Sequence, residues 1–122
     1  TIQNPGHIPD KELVNVLSQV GLKTLLQRVS GLDAFANWNS LMSAGEQQQL
    51  AFARLLLTSP QFAFLDESTT AVDAATEKRL YGLLQEKNIS FISIGYPLRL
   101  APFHQRILEL KGNGEWSMEA LK

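Results

Sequence analysis

The sequence contains no cysteine, which excludes disulfides, thiolate metal sites and a cysteine nucleophile. It has no surplus of either charge. Eleven lysines and arginines stand against 12 aspartates and glutamates, a formal net charge of -1, so no long-range field draws the chain to nucleic acid or to an anionic membrane. Long hydrophobic runs are missing too: the apolar stretches are a few residues each, far below the roughly 20 that span a bilayer, and the piece is expected to be soluble. No basic segment followed by an apolar one opens the chain, and residue 1 is threonine, so the numbering is read as that of an excised or processed segment. What is present is 122 residues, 44% of them hydrophobic, enough to pack one modest domain or a piece of a larger one.

The first forty residues read as two small helices and a connector. Pro5, Gly6 and Pro9 mark an irregular entry. Asp10 is placed as the N-cap of a helix carrying Leu13, Val16, Leu17 and Val20, with Gly21 as its stop. A second helix is expected from Leu22 to Val29, broken at Ser30-Gly31, and Asp33 to Ser40 reads as a loop. Ser43 with Glu46 three residues on has the form of a capping box, opening a helix through Leu50, Ala53, Arg54, Leu56 and Leu57 that ends near Ser59-Pro60. Phe62 to Leu65 is a continuously apolar run, as expected of a strand buried on both faces. Asp73 caps the next helix, with Leu80, Leu83 and Leu84 inward, and Ile89 to Ile94 supplies a second strand. Strand, helix, strand is the crossover unit of parallel α/β sheets. Leu98 to His104 receives no assignment. Arg106 to Leu110, the Gly112-Asn113-Gly114 turn and Glu115 to Met118 form a C-terminal hairpin.

The chemistry concentrates between residues 42 and 73. An apolar strand ending in Asp66-Glu67 presents two carboxylates at the carboxyl edge of a parallel sheet, where open α/β folds bind ligands. Hard oxygens there suit Mg²⁺, and a neighbouring carboxylate can orient or deprotonate a water. Ser43-Ala44-Gly45 ahead of a helix gathers backbone N–H groups at a positive dipole end, a natural phosphate site. Alone, each feature reads as an ordinary loop start or an ordinary cap.

Together they carry a resemblance. Met42-Ser43-Ala44-Gly45-Glu46-Gln47-Gln48-Gln49-Leu50-Ala51-Phe52-Ala53-Arg54, then Pro60, then Leu65-Asp66-Glu67-Ser68-Thr69-Thr70-Ala71-Val72-Asp73 resembles the ATP-binding domain of ABC transporters in order and spacing, with its signature motif, Walker B strand and D-loop. The Gly45-Glu46-Gln47-Gln48 form looks most like the branch with peroxisomal fatty-acyl, SbmA/BacA-like and vitamin B12 transporters. The resemblance implies the α/β fold of a P-loop NTPase core, a parallel sheet flanked by helices, together with the ABC helical subdomain. It divides the chain into residues 1–57, the helical subdomain with signature motif and helix, and residues 58–122, a partial ATPase core with Walker B, D-loop, switch region and hairpin. It implies ATP and Mg²⁺ as ligands, with Ser43, Ala44, Gly45 and Glu46 contacting the nucleotide of an opposite subunit. Asp66 would hold Mg²⁺ through water, Glu67 would polarise the attacking water, and Asp73 would belong to the loop linking the two sites. The partners implied are a second ABC ATP-binding domain and the transmembrane domain of a parent transporter, at the cytoplasmic face of a membrane.

The sequence also departs from the pattern. The family's switch histidine is replaced by Tyr96, whose phenol can donate to a phosphate oxygen but does not become a cation near neutral pH. His104 is read as a surface or packing histidine and not as its replacement. Met42, Ala44 and Gln49 stand where leucine, glycine and arginine are usual, and the sequence assigns Gln49 no role. No Gly-rich Walker A segment with its lysine occurs, so the chain is expected to be the C-terminal half of a nucleotide-binding domain, inactive alone. Two other readings are a non-transport ABC ATPase acting on DNA or the ribosome and a degenerate, non-hydrolysing ABC module.

Overall fold

The computed structural model describes residues 8–28 and 41–121. Helix α1 spans Asp10–Gln19 and α2 spans Lys23–Arg28. Asp10 is the first helical residue and not the cap. Pro9, extended at φ -60° and ψ 144°, holds the cap position, and its carbonyl accepts from Glu12 and Leu13 N–H. Asp10 and Glu12 instead place negative charge in the first turn, against the helix dipole. Gly21 follows the end of α1 at φ +92°, and a Cβ there would meet Gln49 Nε2 at 2.7 Å. That amide donates to Val20 O at 2.8 Å. Gln49 thus ties an orphan carbonyl at the end of α1 to the helix over Ala44–Thr58. The expected end of the second helix at Val29 and the loop of residues 33–40 lie outside the described residues.

Helix α3, Ala44–Thr58, has the reciprocal cap expected of it. Glu46 N–H donates to Ser43 Oγ at 3.1 Å and Ser43 N–H donates to Glu46 Oε1 at 3.0 Å. It stops at Ser59, left-handed at φ 43°, whose N–H donates back to Leu55 O. Phe52, Ala53 and Leu56 form its buried face. Strand β1, Phe62–Asp66, is followed by α4, Ala74–Glu86, and β2, Ser90–Ile94. The two strands pair in parallel, Phe64 opposite Ile92 and Asp66 opposite Ile94. Pro97 then starts a four-residue helix α5, Pro97–Leu100, and a 3₁₀ turn over Ala101–Phe103. Proline's fixed φ pre-sets this first turn, and Arg99 and Leu100 N–H both donate to Tyr96 O. Strands β3, Arg106–Gly112, and β4, Glu115–Ala120, pair antiparallel. Gly112, Asn113 and Gly114 all take positive φ in the turn.

One core joins the longer helices to the parallel sheet: Val16, Val20, Leu22 and Leu25 from the first helices, Phe52, Ala53 and Leu56 from α3, Ala63 and Leu65 from β1, and Leu80, Tyr81, Leu84 and Ile89. Tyr81 is its centre, stacked on Phe103 at 4.6 Å and edge-on to Phe52, Phe91 and His104. His104 is a packing histidine. Its Nδ1 lies 2.7 Å from Leu100 O and its Nε2 2.7 Å from Ser93 Oγ, which in turn is 2.9 Å from Tyr81 Oη. A carbonyl only accepts, so Nδ1 carries a proton toward Leu100 O.

The expectation that β1 is buried on both faces is corrected. Its exposure alternates: Ala63 and Leu65 are in the core, while Phe62 is 65% and Phe64 78% exposed. Ile92 and Ile94 of β2 are likewise open on that side. Strand side chains alternate between faces, and helices cover only one of them among the described residues. The hairpin repeats the pattern, with Leu108 opposite Met118 and Leu110 opposite Trp116, all four exposed.

Candidate functional site

Alternation places Asp66 on the uncovered face of the sheet, in line with Phe62 and Phe64, and its carboxylate is exposed. Glu67 comes next, and the backbone turns sharply there: φ is 49°, left-handed without being glycine. A bulky residue adopts that conformation only where its surroundings over-determine it, and here they do. Glu67 N–H donates to Ile94 O at 2.7 Å, extending the parallel ladder by one bond. Glu67 O accepts from Gln48 Nε2 and from Thr70 Oγ1, each at 3.3 Å. The side chain is thereby turned out of the strand at its carboxyl end, exposed to solvent.

Gln48 organises the loop that follows. Besides Glu67 O, its amide donates to Thr70 Oγ1 at 2.9 Å and accepts from Ala71 N–H at 2.9 Å. It lies one turn into α3, so the helix opened by Ser43 is bolted to the loop after β1. Gly45 makes the same junction by contact: a Cβ there would stand 2.7 Å from Ala71 O. Gly45→Ala is therefore expected to cost about 1–3 kcal/mol through overpacking, read as a lower thermal unfolding midpoint; an unchanged midpoint would show that the turn gives way freely.

Asp73 closes the loop by capping α4, accepting from Thr76 N–H at 2.7 Å. Hydrogen bonds from the Thr76 side chain and backbone hold its carboxyl below the ordinary aspartate value. The cap is thus formed at neutral pH and weakens only as the pH falls through that lowered value. Tyr96 follows β2 by two residues and is 70% exposed. Glu67, Ser68, Thr69, Thr70 and Glu77 from one side and Gly95, Tyr96, Arg99 and Leu100 from the other line one cleft of about 50 Å³.

The structure thus brings Glu67 and Tyr96 to a common cleft and leaves Asp66 beside it on the open sheet face. Ser43, Ala44, Gly45 and Glu46 stand on the far side of the loop, at the α3 N-terminus. No cluster of three metal-ligating side chains occurs among the described residues. A single exposed carboxylate suits Mg²⁺, which keeps most of its water and takes phosphate oxygens as further ligands. Gln48, Thr69, Glu77 and Arg99 are additions that sequence reasoning missed. Each acts through contacts more than seven residues apart along the chain, which leave no local pattern.

The arrangement is a parallel strand ending in paired carboxylates, a capped helix packed on the following loop, and Tyr96, just past the next strand, lining the same cleft as Glu67. The family model for ABC transporters matches residues 2–70, and the chain belongs to the ABC transporter family. It is 48% identical over 99 residues to the chloroplastic ABC transporter D family member 2 of Arabidopsis thaliana, covering 81% of this chain and 14% of that protein. It is 39% identical over 119 residues to the lysosomal cobalamin transporter of Mus musculus, covering 96% and 20%. A cyanobacterial ABC transporter ATP-binding protein from Synechocystis is 39% identical over 112 residues, covering 92% and 17%. The chain therefore spans a fifth or less of the length of these relatives.

Proposed function

We propose that this chain is the C-terminal half of the ATP-binding domain of a membrane transporter, and that it supplies the hydrolytic carboxylate of one ATP site and the phosphate-contacting turn of another. The observation that carries the reading is Glu67, held left-handed at the carboxyl end of β1 and lining one cleft with Tyr96. Phosphoryl transfer depends mainly on positioning and charge neutralisation. Glu67 would accept a proton from the attacking water, and Tyr96 would donate to a phosphate oxygen. Asp66 would hold Mg²⁺ through water, and the ion would neutralise charge on the phosphates. Ser43 Oγ accepts from the helix yet keeps its own O–H, so it can donate to a phosphate on a partner domain while the cap stays intact. Asp73, at the end of the same loop, would link the two sites.

The half-domain reading draws support from the apolar sheet face and the apolar hairpin face, which call for more polypeptide to cover them. A segment carrying the phosphate-binding loop and its lysine is the fitting cover for the sheet, since Asp66 opens onto that side. Transport across a membrane is inferred from the relatives, among them one named as a cobalamin transporter. The domain would then work at the cytoplasmic face, paired with a second ATP-binding domain and with the transporter's membrane domain. The charge balance offers nothing to a nucleic-acid partner.

The test is calorimetric. The full-length protein is expected to bind and hydrolyse MgATP, whereas residues 1–122 alone are expected to bind ATP no tighter than the millimolar range; submillimolar affinity in the isolated chain overturns the half-domain reading.

A further inference from the structure

The loop from Glu67 to Asp73 is held from two sides. On one side is Gln48. On the other is a buried carboxylate, Glu77 of α4, only 3% exposed, with Thr69 beneath it, also buried. Thr69 Oγ1 donates to Glu77 Oε2, and Arg99 Nε donates to Glu77 Oε1 at 2.8 Å. A carboxylate withdrawn from water is tolerable only when both oxygens are satisfied and its charge is matched, and these two bonds do both. Arg99 then goes further. Its Nη2 donates to Val72 O at 2.7 Å and to Thr69 O at 3.4 Å, so one guanidinium joins α4, both ends of the loop and α5. Helix α5 begins directly after Tyr96.

We propose that Arg99 is a positioning residue for the hydrolytic centre: it locks the loop after Glu67 to the segment that carries Tyr96, fixing the two across their cleft. The inference rests on reading this chain as part of an ATPase. The chemistry requires arginine. A planar fork of fixed N–H groups reaches Glu77, Val72 O and Thr69 O together, whereas a lysine ammonium placed against Glu77 restores the charge but not the span to Val72 O. Without that span the loop keeps its bonds to Gln48 and Glu77 but loses the tie between Val72 O and α5, so Tyr96 at the start of α5 is held less firmly against Glu67. Small displacements of a catalytic group by a residue distant from the chemistry are costly.

Arg99→Lys in the full-length protein separates positioning from folding, because it keeps Glu77 paired; Arg99→Gln serves as the harsher comparison. For Arg99→Lys the unfolding midpoint is expected to stay near wild type, KM for ATP to change less than about twofold, and kcat to fall about 10- to 100-fold. Amide hydrogen exchange should quicken at Ala71 and Val72. A wild-type kcat in Arg99→Lys overturns the proposal, as does a kcat loss that merely follows a lowered midpoint. If the unsubstituted full-length protein turns over no ATP, it is the ATPase reading that fails, and the exchange rates alone decide the clamp: faster exchange at Ala71 and Val72 keeps it, unchanged exchange overturns it.

Discussion

Glu67→Gln in the full-length protein is expected to lower ATP turnover by about 10²- to 10⁴-fold, the range general-base catalysis supplies, with ATP still bound. Glutamine keeps the length and shape of the side chain and removes only its ability to take a proton. It is also no easier to hold at φ 49° than glutamate, so the bond from Glu67 N–H to Ile94 O and those from Gln48 and Thr70 to Glu67 O that set the turn are unaffected. Loss of turnover with intact binding thus isolates the chemistry. Single-turnover hydrolysis measured beside nucleotide binding checks it, and an unchanged rate in Glu67→Gln would remove Glu67 from the role of base.

Tyr81→Ala is expected to be the most destabilising single truncation in the chain, by about 3–5 kcal/mol, as for other large aromatic-to-alanine changes in packed cores. The ring is 1% exposed and contacts Phe52, Phe91, Phe103 and His104, which draw on α3, β2 and the 3₁₀ turn. Removing it opens a cavity between all three and leaves the Ser93 hydroxyl with His104 as its remaining partner. Tyr81→Phe keeps the packing and loses only the hydrogen bond to Ser93, about 1 kcal/mol. Burial also pushes the Tyr81 phenol above its ordinary value of 10.0. The contribution is therefore complete below about pH 10 and lost as the pH climbs through the raised value, since the unfolded chain ionises first. Unfolding midpoints of both variants, followed from neutral to alkaline pH, test the packing and the linkage together.

Local features were legible in the sequence because their causes are local. Ser43 and Glu46 are one turn apart and form their box; Asp73 caps α4 through Thr76; Gly112-Asn113-Gly114 supplies the positive φ values of the hairpin. Asp10 misled because Pro9 already held the cap position. The uncovered faces were not legible: Phe62 to Leu65 has the composition of a doubly buried strand, and composition says nothing of whether both covers are present. Arg99 and Glu77 were invisible for a different reason. Their pairing spans 22 residues and gathers the loop only once β1, α4 and β2 are in place. Gln49, to which the sequence assigned no role, found one at Val20 O, a partner 29 residues away.

The bare side of β1 and β2 also bears on synthesis. Under the half-domain reading, the segment that covers Phe62, Phe64, Ile92 and Ile94 precedes this one in the polypeptide, and chains leave the ribosome N-terminal end first. The cover is then waiting when these strands emerge. Their greasy side can be shielded as it forms, and the burden of waiting unpaired, with the need for a chaperone, passes to the earlier half.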